Sequence, residues 1–180
     1  MRPVTKMSVG ELAAYVSSHL RAKGIDVVLS GGSAVAIYSH GKYVSLDLDF
    51  VNTRSAKRRA IREAMVEIGF QEENRYFKHP DTEYFVEFPA GPLAVGNEPV
   101  KRIDEMTFRT GTLRILSPAD CVKDRLTWYY YDKDRQALEQ ARLVVQENAV
   151  DLAEIERWSK QEGMLRPFQR IRKLLTERDK

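Results

Sequence analysis

The sequence predicts an α/β protein of the α+β type, in which helices flank a mixed β-sheet and a C-terminal helical region follows. Three observations lead to this prediction. Strand-like and helix-like segments alternate up to about residue 70, short strand-like runs separated by turn residues continue to residue 116, and helical periodicity fills the rest. We expect a core at residues 1–116, with a helical region at 117–180 packed on it as part of one globular unit.

Helices and strands alternate at the start of the chain. Ser8 and Glu11 form a capping-box pattern that begins a helix over about residues 9–22. The run IDVVLS at residues 25–30 is short, apolar and β-branched, which is typical of a strand buried on both faces. The residues after the following Gly-Gly pair predict a short helix packed on that strand.

The middle of the chain predicts further sheet strands around one helix. Residues 44–51 alternate strictly between polar and apolar, and residues 55–70 place apolar side chains on one helical face. Residues 75–79 and 83–88 flank a Pro-Asp-Thr turn as a hairpin would, and residues 100–116 read as short strands. This order favours a mixed sheet over an all-parallel one.

The C-terminal region begins at a clear helix start. Ser117 suits an N-cap and Pro118 suits the first helical position. Later segments keep a helical period, and Asp151 with Glu154 repeats the capping-box pattern. Residues 128–131 are four consecutive aromatics, Trp-Tyr-Tyr-Tyr; we expect one or two in the core and the others at the surface, with a base-stacking platform as the alternative.

Composition excludes several classes of protein. With 180 residues, 43% hydrophobic and 31% charged, the chain is neither disordered nor repetitive in composition. Its net charge of +3 is weak evidence for a nucleic-acid partner, and the basic clusters at 54–62 and 166–180 are either phosphate-facing patches or solvated helix faces. Cys121 is the lone cysteine and no long apolar segment occurs, so we expect a cytoplasmic protein without a membrane span.

Two aspartates on one strand are the first chemical signal. The period of two places Ser45, Asp47 and Asp49 on one face, with the carboxylates roughly 6 to 7 Å apart along the strand. Like charges repel on a partly buried face unless a cation lies beside them, and Mg²⁺ prefers such oxygen ligands. The alternative is an edge strand whose acidic face is exposed to water.

A Gly-Gly-Ser turn precedes these aspartates by about 15 residues. A turn from a buried strand into a helix presents backbone N–H groups at the positive end of the helix dipole, and glycine lets a phosphate approach closely. An ordinary turn is the alternative for Gly31 and Gly32 alone. The pair of motifs together indicates a phosphate cradle next to a metal-binding strand.

The runs GGSAVAIY and SLDLDF resemble the glycine-rich turn and Asp-x-Asp strand of the DNA polymerase beta-like nucleotidyltransferase superfamily. Within it, they are most similar to the minimal toxin-type enzymes of bacterial toxin–antitoxin and phage-defence systems. The resemblance implies a mixed sheet with flanking helices. It also implies transfer of a nucleotide from an NTP with two Mg²⁺ ions.

The resemblance also implies roles for individual residues. The metal ligands would be two aspartates and a glutamate from a neighbouring strand, and the nucleotide would be held by the glycine turn, a strand serine and cations of the helix that starts near Asp120. The implied metal ligands are Asp47, Asp49 and Glu87, the implied catalytic cation is Arg125, and the implied nucleotide-binding residues are Gly31, Gly32, Ser33, Ser45 and Lys123.

Several functional alternatives stay open at the level of sequence. The acceptor is an RNA or tRNA 3′ end, a protein hydroxyl or a small molecule such as an aminoglycoside, and an antitoxin protein is an expected partner of a toxin-type member. Tyr43 stands where relatives commonly carry a basic residue, with Lys42 displaced by one position. A catalytically weakened NTP-binding or protein-interaction module of the same fold is therefore the alternative function.

Overall fold

The structure is a computed structural model that describes residues 4–177. After a single 3-10 turn at Val4–Lys6, the helices are α1 Val9–Ala22, α2 Gly31–Tyr38, α3 Arg58–Glu67, α4 Pro118–Asp132, α5 Arg135–Glu147, α6 Leu152–Gln161 and α7 Leu165–Thr176. The strands are β1 Val27–Ser30, β2 Asp47–Asn52, β3 Gln71–Glu73, β4 Tyr76–Lys78, β5 Phe85–Glu87, β6 Ala94–Val95, β7 Glu98–Pro99, β8 Ile103–Phe108 and β9 Gly111–Leu116.

A seven-stranded sheet in the order β3-β4-β5-β2-β1-β9-β8 organises the molecule. β1 runs antiparallel to β2, whereas β2 with β5 and β1 with β9 are parallel pairs. The mixed sheet with helices packed on it confirms the predicted fold class. The small β6–β7 ribbon was not predicted, because strands of two residues carry no readable alternation.

Local sequence signals account for the first helix. The Ser8 hydroxyl accepts a hydrogen bond from the Glu11 backbone N–H at 3.3 Å, and the Glu11 carboxylate accepts one from the Ser8 N–H at 3.1 Å. Gly24 follows the helix with a φ of +74°, the left-handed conformation that glycine adopts readily. Helix α1 therefore has the predicted extent and covers β9 and β1 through its buried face.

Strand register brings three polar positions to one level of the sheet. Asp49 on β2 lies opposite Ser30, the last residue of β1, and opposite Glu87, the last residue of β5. Because β1 leads directly into α2, the Gly-Gly turn lies at the same end. The topology thus joins motifs that are far apart in sequence.

The helices after residue 117 share the core of the sheet. Buried side chains of α4, α6 and α7, such as Leu126, Ile155 and Phe168, belong to the same apolar cluster as Leu29 of β1 and Leu113 of β9. The Asn148 side-chain amide donates to the Tyr38 carbonyl at 2.9 Å and so joins the two parts of the chain. None of the helices within residues 4–177 combines the length and apolar character needed to cross a bilayer.

Two local expectations needed adjustment. Ala60 is exposed, although Ile61, Ala64, Met65 and Ile68 of the predicted α3 face are buried. Asp151 caps α6 by accepting from the Ala153 N–H at 2.9 Å, but Glu154 pairs with Lys123 of α4 and with Arg157 of its own helix and does not complete a capping box. Tertiary partners therefore took precedence over the local pattern.

Candidate active site

A cavity of about 490 Å³ opens at the end of the sheet where β1, β2 and β5 meet α4. Five of the residues singled out from the sequence line it: Gly31, Asp47, Asp49, Glu87 and Arg125. Three predicted carboxylates and one predicted guanidinium thus share one space with the glycine turn, and Asp124 adds a fourth carboxylate, which makes this cavity the candidate active site.

Gly31 lies directly against Asp49. Its φ of +68° is in the left-handed region, and a Cβ atom added there would collide with the Asp49 carboxylate. The next residue, Gly32, lies close to Ser45: an added Cβ would be 3.0 Å from the Ser45 hydroxyl oxygen. The glycine pair is needed because the turn passes close to β2 and to the residues just before it.

Two predicted nucleotide-binding serines hold Asp47 instead of lining the cavity. The Ser45 hydroxyl donates to the Asp47 carboxylate, and the Ser33 hydroxyl donates to the Asp47 carbonyl oxygen. Both serines are buried. Their hydroxyl groups therefore hold both the backbone and the side chain of Asp47 in place.

Asp49 has a pKa well above its ordinary value. Burial, followed by the negative charges of Asp47 and Glu87, raises the pKa of Asp49 to about 7. The positive charge of Arg125 opposes this shift without cancelling it. The lining also contains four carboxylates, with that of Asp124, against the single guanidinium of Arg125, so its charge is net negative.

Glu87 and Arg125 border the aspartates from two sides. Glu87 pairs with the exposed Arg75, at 3.3 Å between Oε1 and Nε. Arg125 is largely buried and donates to Asp124 at 2.5 and 3.0 Å and to Gln140 at 3.2 Å. Burial acts to lower the pKa of Arg125, but the charge and hydrogen bonds of Asp124 raise it overall, so the guanidinium stays charged.

The structure does not bring Lys123 to this cavity. Its ammonium group is buried among Asp120, Glu98 and Glu154, at 3.2, 3.5 and 2.8 Å from their carboxylates. Residues two apart on a helix point about 200° apart, so Lys123 and Arg125 face opposite sides of α4. Of the two cations to which the resemblance gave a role at the site, Arg125 lines the cavity and Lys123 does not.

Two lining residues were missed by the sequence reasoning. Asp124 precedes Arg125 and anchors its guanidinium, and Trp128 follows one turn later on the same helix. A signal for Trp128 existed in its helical spacing from Arg125, since residues three apart share a helix face, whereas Asp124 is adjacent to Arg125 and is not related to it by that spacing. The aromatic run was considered only as a group, which hid the position of its first member.

The donor set can be tested against Mg²⁺. Carboxylate oxygens are the ligands that Mg²⁺ prefers, and one or two of them plus substrate phosphates commonly suffice. Within residues 4–177, no three His, Cys, Asp or Glu side chains already converge into a metal-holding group. The residues fit Mg²⁺ in chemical type and in excess negative charge, and oxygens from a bound phosphate group would have to complete the coordination.

Comparison with known proteins gives the fold a family context. No protein-family model and no curated protein matches the sequence. The chain is similar to the crystal structure of an antigenic nucleotidyltransferase-like protein from Paracoccidioides brasiliensis, with a TM-score of 0.59 and 14% identity over 80% of this chain and 77% of that one. It is also similar to the antibiotic-resistance factor ANT(2'')-Ia, with a TM-score of 0.50 and 13% identity over 92% of each chain. The chain therefore has the fold of nucleotidyltransferase-like proteins.

Proposed function

We propose that the protein is a Mg²⁺-dependent nucleotidyltransferase that transfers an NMP group from an NTP to an acceptor hydroxyl. The observation that carries this proposal is the excess of carboxylate charge beside the Gly31 turn, within one cavity that Arg125 also enters. The shared fold supports the class of activity.

Each residue has a role that follows from its position. Asp47, Asp49 and Glu87 would hold Mg²⁺, which when bound supplies activation of the acceptor oxygen and neutralisation of the departing pyrophosphate. No side chain caps the N terminus of α2, so backbone N–H groups near Gly31 are available to phosphate oxygens. Ser45 and Ser33 keep Asp47 in place, and Arg125 offsets charge on the phosphates.

The proposed reaction is a single nucleophilic substitution at the α-phosphorus of the NTP. The acceptor oxygen forms a bond to the α-phosphorus, and the bond from that phosphorus to the bridging oxygen of the β-phosphate breaks. Pyrophosphate leaves with the bond electrons, and the proton of the acceptor hydroxyl passes to a carboxylate of the cluster.

The acceptor class and the biological role belong to the same proposal. The motif resemblance to toxin-type enzymes makes RNA, tRNA 3′ ends above all, the first acceptor to test, with an antitoxin protein as the partner of such a toxin. Small molecules such as aminoglycosides, which the same superfamily resemblance implies, are the second. A protein hydroxyl is the third.

The direct test is label transfer. The protein is incubated with each α-³²P-labelled NTP, with Mg²⁺ or Mn²⁺, and with total RNA, cell protein or an aminoglycoside. We expect label in one acceptor class. We expect Asp47→Ala or Asp49→Ala to lower transfer by at least about 100-fold, because each removes a proposed ligand of the Mg²⁺ ions that stabilise charge in the transition state. Transfer that survives both substitutions would refute the assignment of these carboxylates.

Calorimetry separates the alternative function. A non-catalytic module of this fold would bind NTP with Mg²⁺ but leave every acceptor unlabelled. Growth arrest together with labelled tRNA would indicate the toxin-type role, whereas a labelled aminoglycoside would indicate resistance. An absence of NTP binding would contradict both the enzyme and the binding module.

A further inference from the structure

Trp128 is a large aromatic side chain that the fold leaves half-exposed at the candidate active site. It is 49% exposed and lines the cavity that contains Asp49 and Arg125. Two residues later on α4, Tyr130 is 2% exposed and lies in the core. Since burying an aromatic ring is strongly favourable, an exposed ring inside a cavity suggests that a ligand covers it.

The neighbouring rings of Tyr129 and Tyr130 are already in contact with other aromatic rings. Tyr130 stacks on Trp158 with ring centroids 5.9 Å apart, and the Trp158 indole N–H donates to the Val95 carbonyl at 3.1 Å. Among the described residues, Trp128 has neither a ring partner nor a hydrogen bond from its indole. Its flat surface therefore remains available.

The cavity is lined by both acidic and apolar side chains. Asp47, Asp49 and Glu87 are among the acidic ones, and Trp128, Leu93 and Leu116 are among the apolar ones. A ligand that matches both kinds of lining combines an anionic, metal-binding group with a flat ring. A nucleoside triphosphate has this combination.

The spacing on α4 is consistent with one nucleotide reaching both groups. Arg125 and Trp128 are three residues apart, so they share a helix face with roughly 5 to 6 Å between their Cβ atoms. A base joined through its ribose to phosphates near Arg125 can extend along the helix to the indole ring.

We propose that Trp128 stacks on the base of the bound NTP, an inference that rests on the proposed function and adds a base-binding residue to it. Every base has a π-face, so stacking alone selects little between bases. Trp128 thus contributes affinity for the nucleoside part of the substrate, while the carboxylates and the glycine turn act on the phosphates.

Binding measurements with matched probes test the inference. Mg·ATP, Mg·GTP, Mg·CTP and Mg·UTP are compared with Mg·tripolyphosphate, which has the phosphates but no base. We expect Trp128→Ala to weaken binding of the NTPs by about 5- to 100-fold and to leave tripolyphosphate binding unchanged. Trp128→Phe should retain most of the affinity, because a smaller ring still stacks.

Fluorescence gives an independent readout because the two tryptophans differ in exposure. Trp158 is fully buried, so the emission lost in Trp128→Phe identifies the signal of Trp128. NTP binding should quench that signal, whereas tripolyphosphate should not. Tyr131→Ala is the matched control: Tyr131 is 50% exposed one turn along α4, is not part of the cavity lining, and should leave all affinities unchanged.

The outcomes are distinguishable. NTP affinity unchanged in Trp128→Ala would overturn the stacking role and leave the proposed function standing. Equal weakening of NTP and tripolyphosphate would indicate general damage to the cavity and would also overturn it. If the wild-type protein binds neither NTP nor tripolyphosphate, the proposed function fails and the stacking role fails with it.

Discussion

Gly31 is a position at which one added carbon atom would disturb the candidate active site. We predict that Gly31→Ala destabilises the protein by more than the about 1 to 2 kcal/mol that a left-handed conformation usually costs, because the new methyl group meets the Asp49 carboxylate. Gly24→Ala is the control, since Gly24 has a φ of +74° with no atom within 4 Å of an added Cβ. Urea unfolding measures both, and equal losses would contradict the close packing of Gly31 on Asp49.

The raised pKa of Asp49 has a consequence for stability. A carboxyl group whose pKa is about 7 in the folded state, against an ordinary value of 3.8, binds its proton more tightly after folding. Unfolding free energy therefore falls as the pH rises from about 4 to 7 and stays low above that range. We predict that Asp49→Asn raises the melting temperature above pH 7 in EDTA, by several degrees.

Thermal scans from pH 4 to 8 check this expectation. The gain of Asp49→Asn over the wild type should vanish near pH 4, where both side chains are neutral. Mg²⁺ should stabilise the wild type at pH 8 and have little effect on the variant. A constant difference at all pH values would indicate that the cost of ionising the Asp49 carboxyl group, which is buried and lies near Asp47 and Glu87, is not its cause.

Sequence reasoning reached the acidic residues better than the surrounding ones. Asp47 and Asp49 are recognisable in the sequence because their carboxylates interrupt an otherwise apolar strand. Strand alternation places them on the same face. The facing of Lys123, Arg125 and Trp128 depends on how α4 rolls against the sheet. Packing decides that rotation, and three consecutive aromatics after Trp128 blur the helical period.

At the scale of the elements, Lys123 joins α4 to its neighbours. Its buried ammonium group pairs with Asp120 of α4, Glu98 of β7 and Glu154 of α6. We predict that Lys123→Met destabilises the protein by about 3 to 5 kcal/mol, because it removes a buried cation and leaves the buried Asp120 carboxylate without its ion pair. Chemical unfolding measures the loss, and Lys173→Met is the control: Lys173 is 88% exposed, and its change should stay within about 0.5 kcal/mol.

The pH dependence of the same cluster provides a second check. The hydrogen bond from Arg157, together with that from Lys123, lowers the pKa of Glu154 to about 2 from an ordinary 4.5. Its ion pairs stabilise the fold above about pH 4.5 and are lost as the pH falls toward 2. Between about pH 4.5 and 2, the unfolding free energy of Lys123→Met should fall less steeply with decreasing pH than that of the wild type. An unchanged pH dependence would contradict the role of Lys123.

Element boundaries were predictable where a side chain marks them. The capping box of α1 and the Ser117 N-cap of α4, whose hydroxyl accepts from the Asp120 N–H at 3.2 Å, lie where the sequence placed them. The β6–β7 ribbon and the loop around it had no such marker. Their position depends on α4 and α6, through contacts such as Trp158 to Val95.

On the scale of the whole molecule, we propose that residues 1–116 and 117–180 form one folding unit of two parts. Leu126, Ile155 and Phe168 share one apolar cluster with Leu29 and Leu113, so we expect the core to require the C-terminal helices. We predict a single calorimetric transition with a ratio of van't Hoff to calorimetric enthalpy of about 1. A fragment of residues 1–116 should lack cooperative unfolding; two transitions, or a folded fragment, would contradict the proposal.

The like-charge repulsion among Asp47, Asp49 and Glu87 also affects which variants a laboratory selection for heat resistance would favour. Without a divalent ion, neutral substitutions at these positions relieve a like-charge conflict, so a screen for heat resistance should enrich variants that have lost the proposed chemistry. Such a screen would outline the reacting centre from heat tolerance alone, before any acceptor is identified.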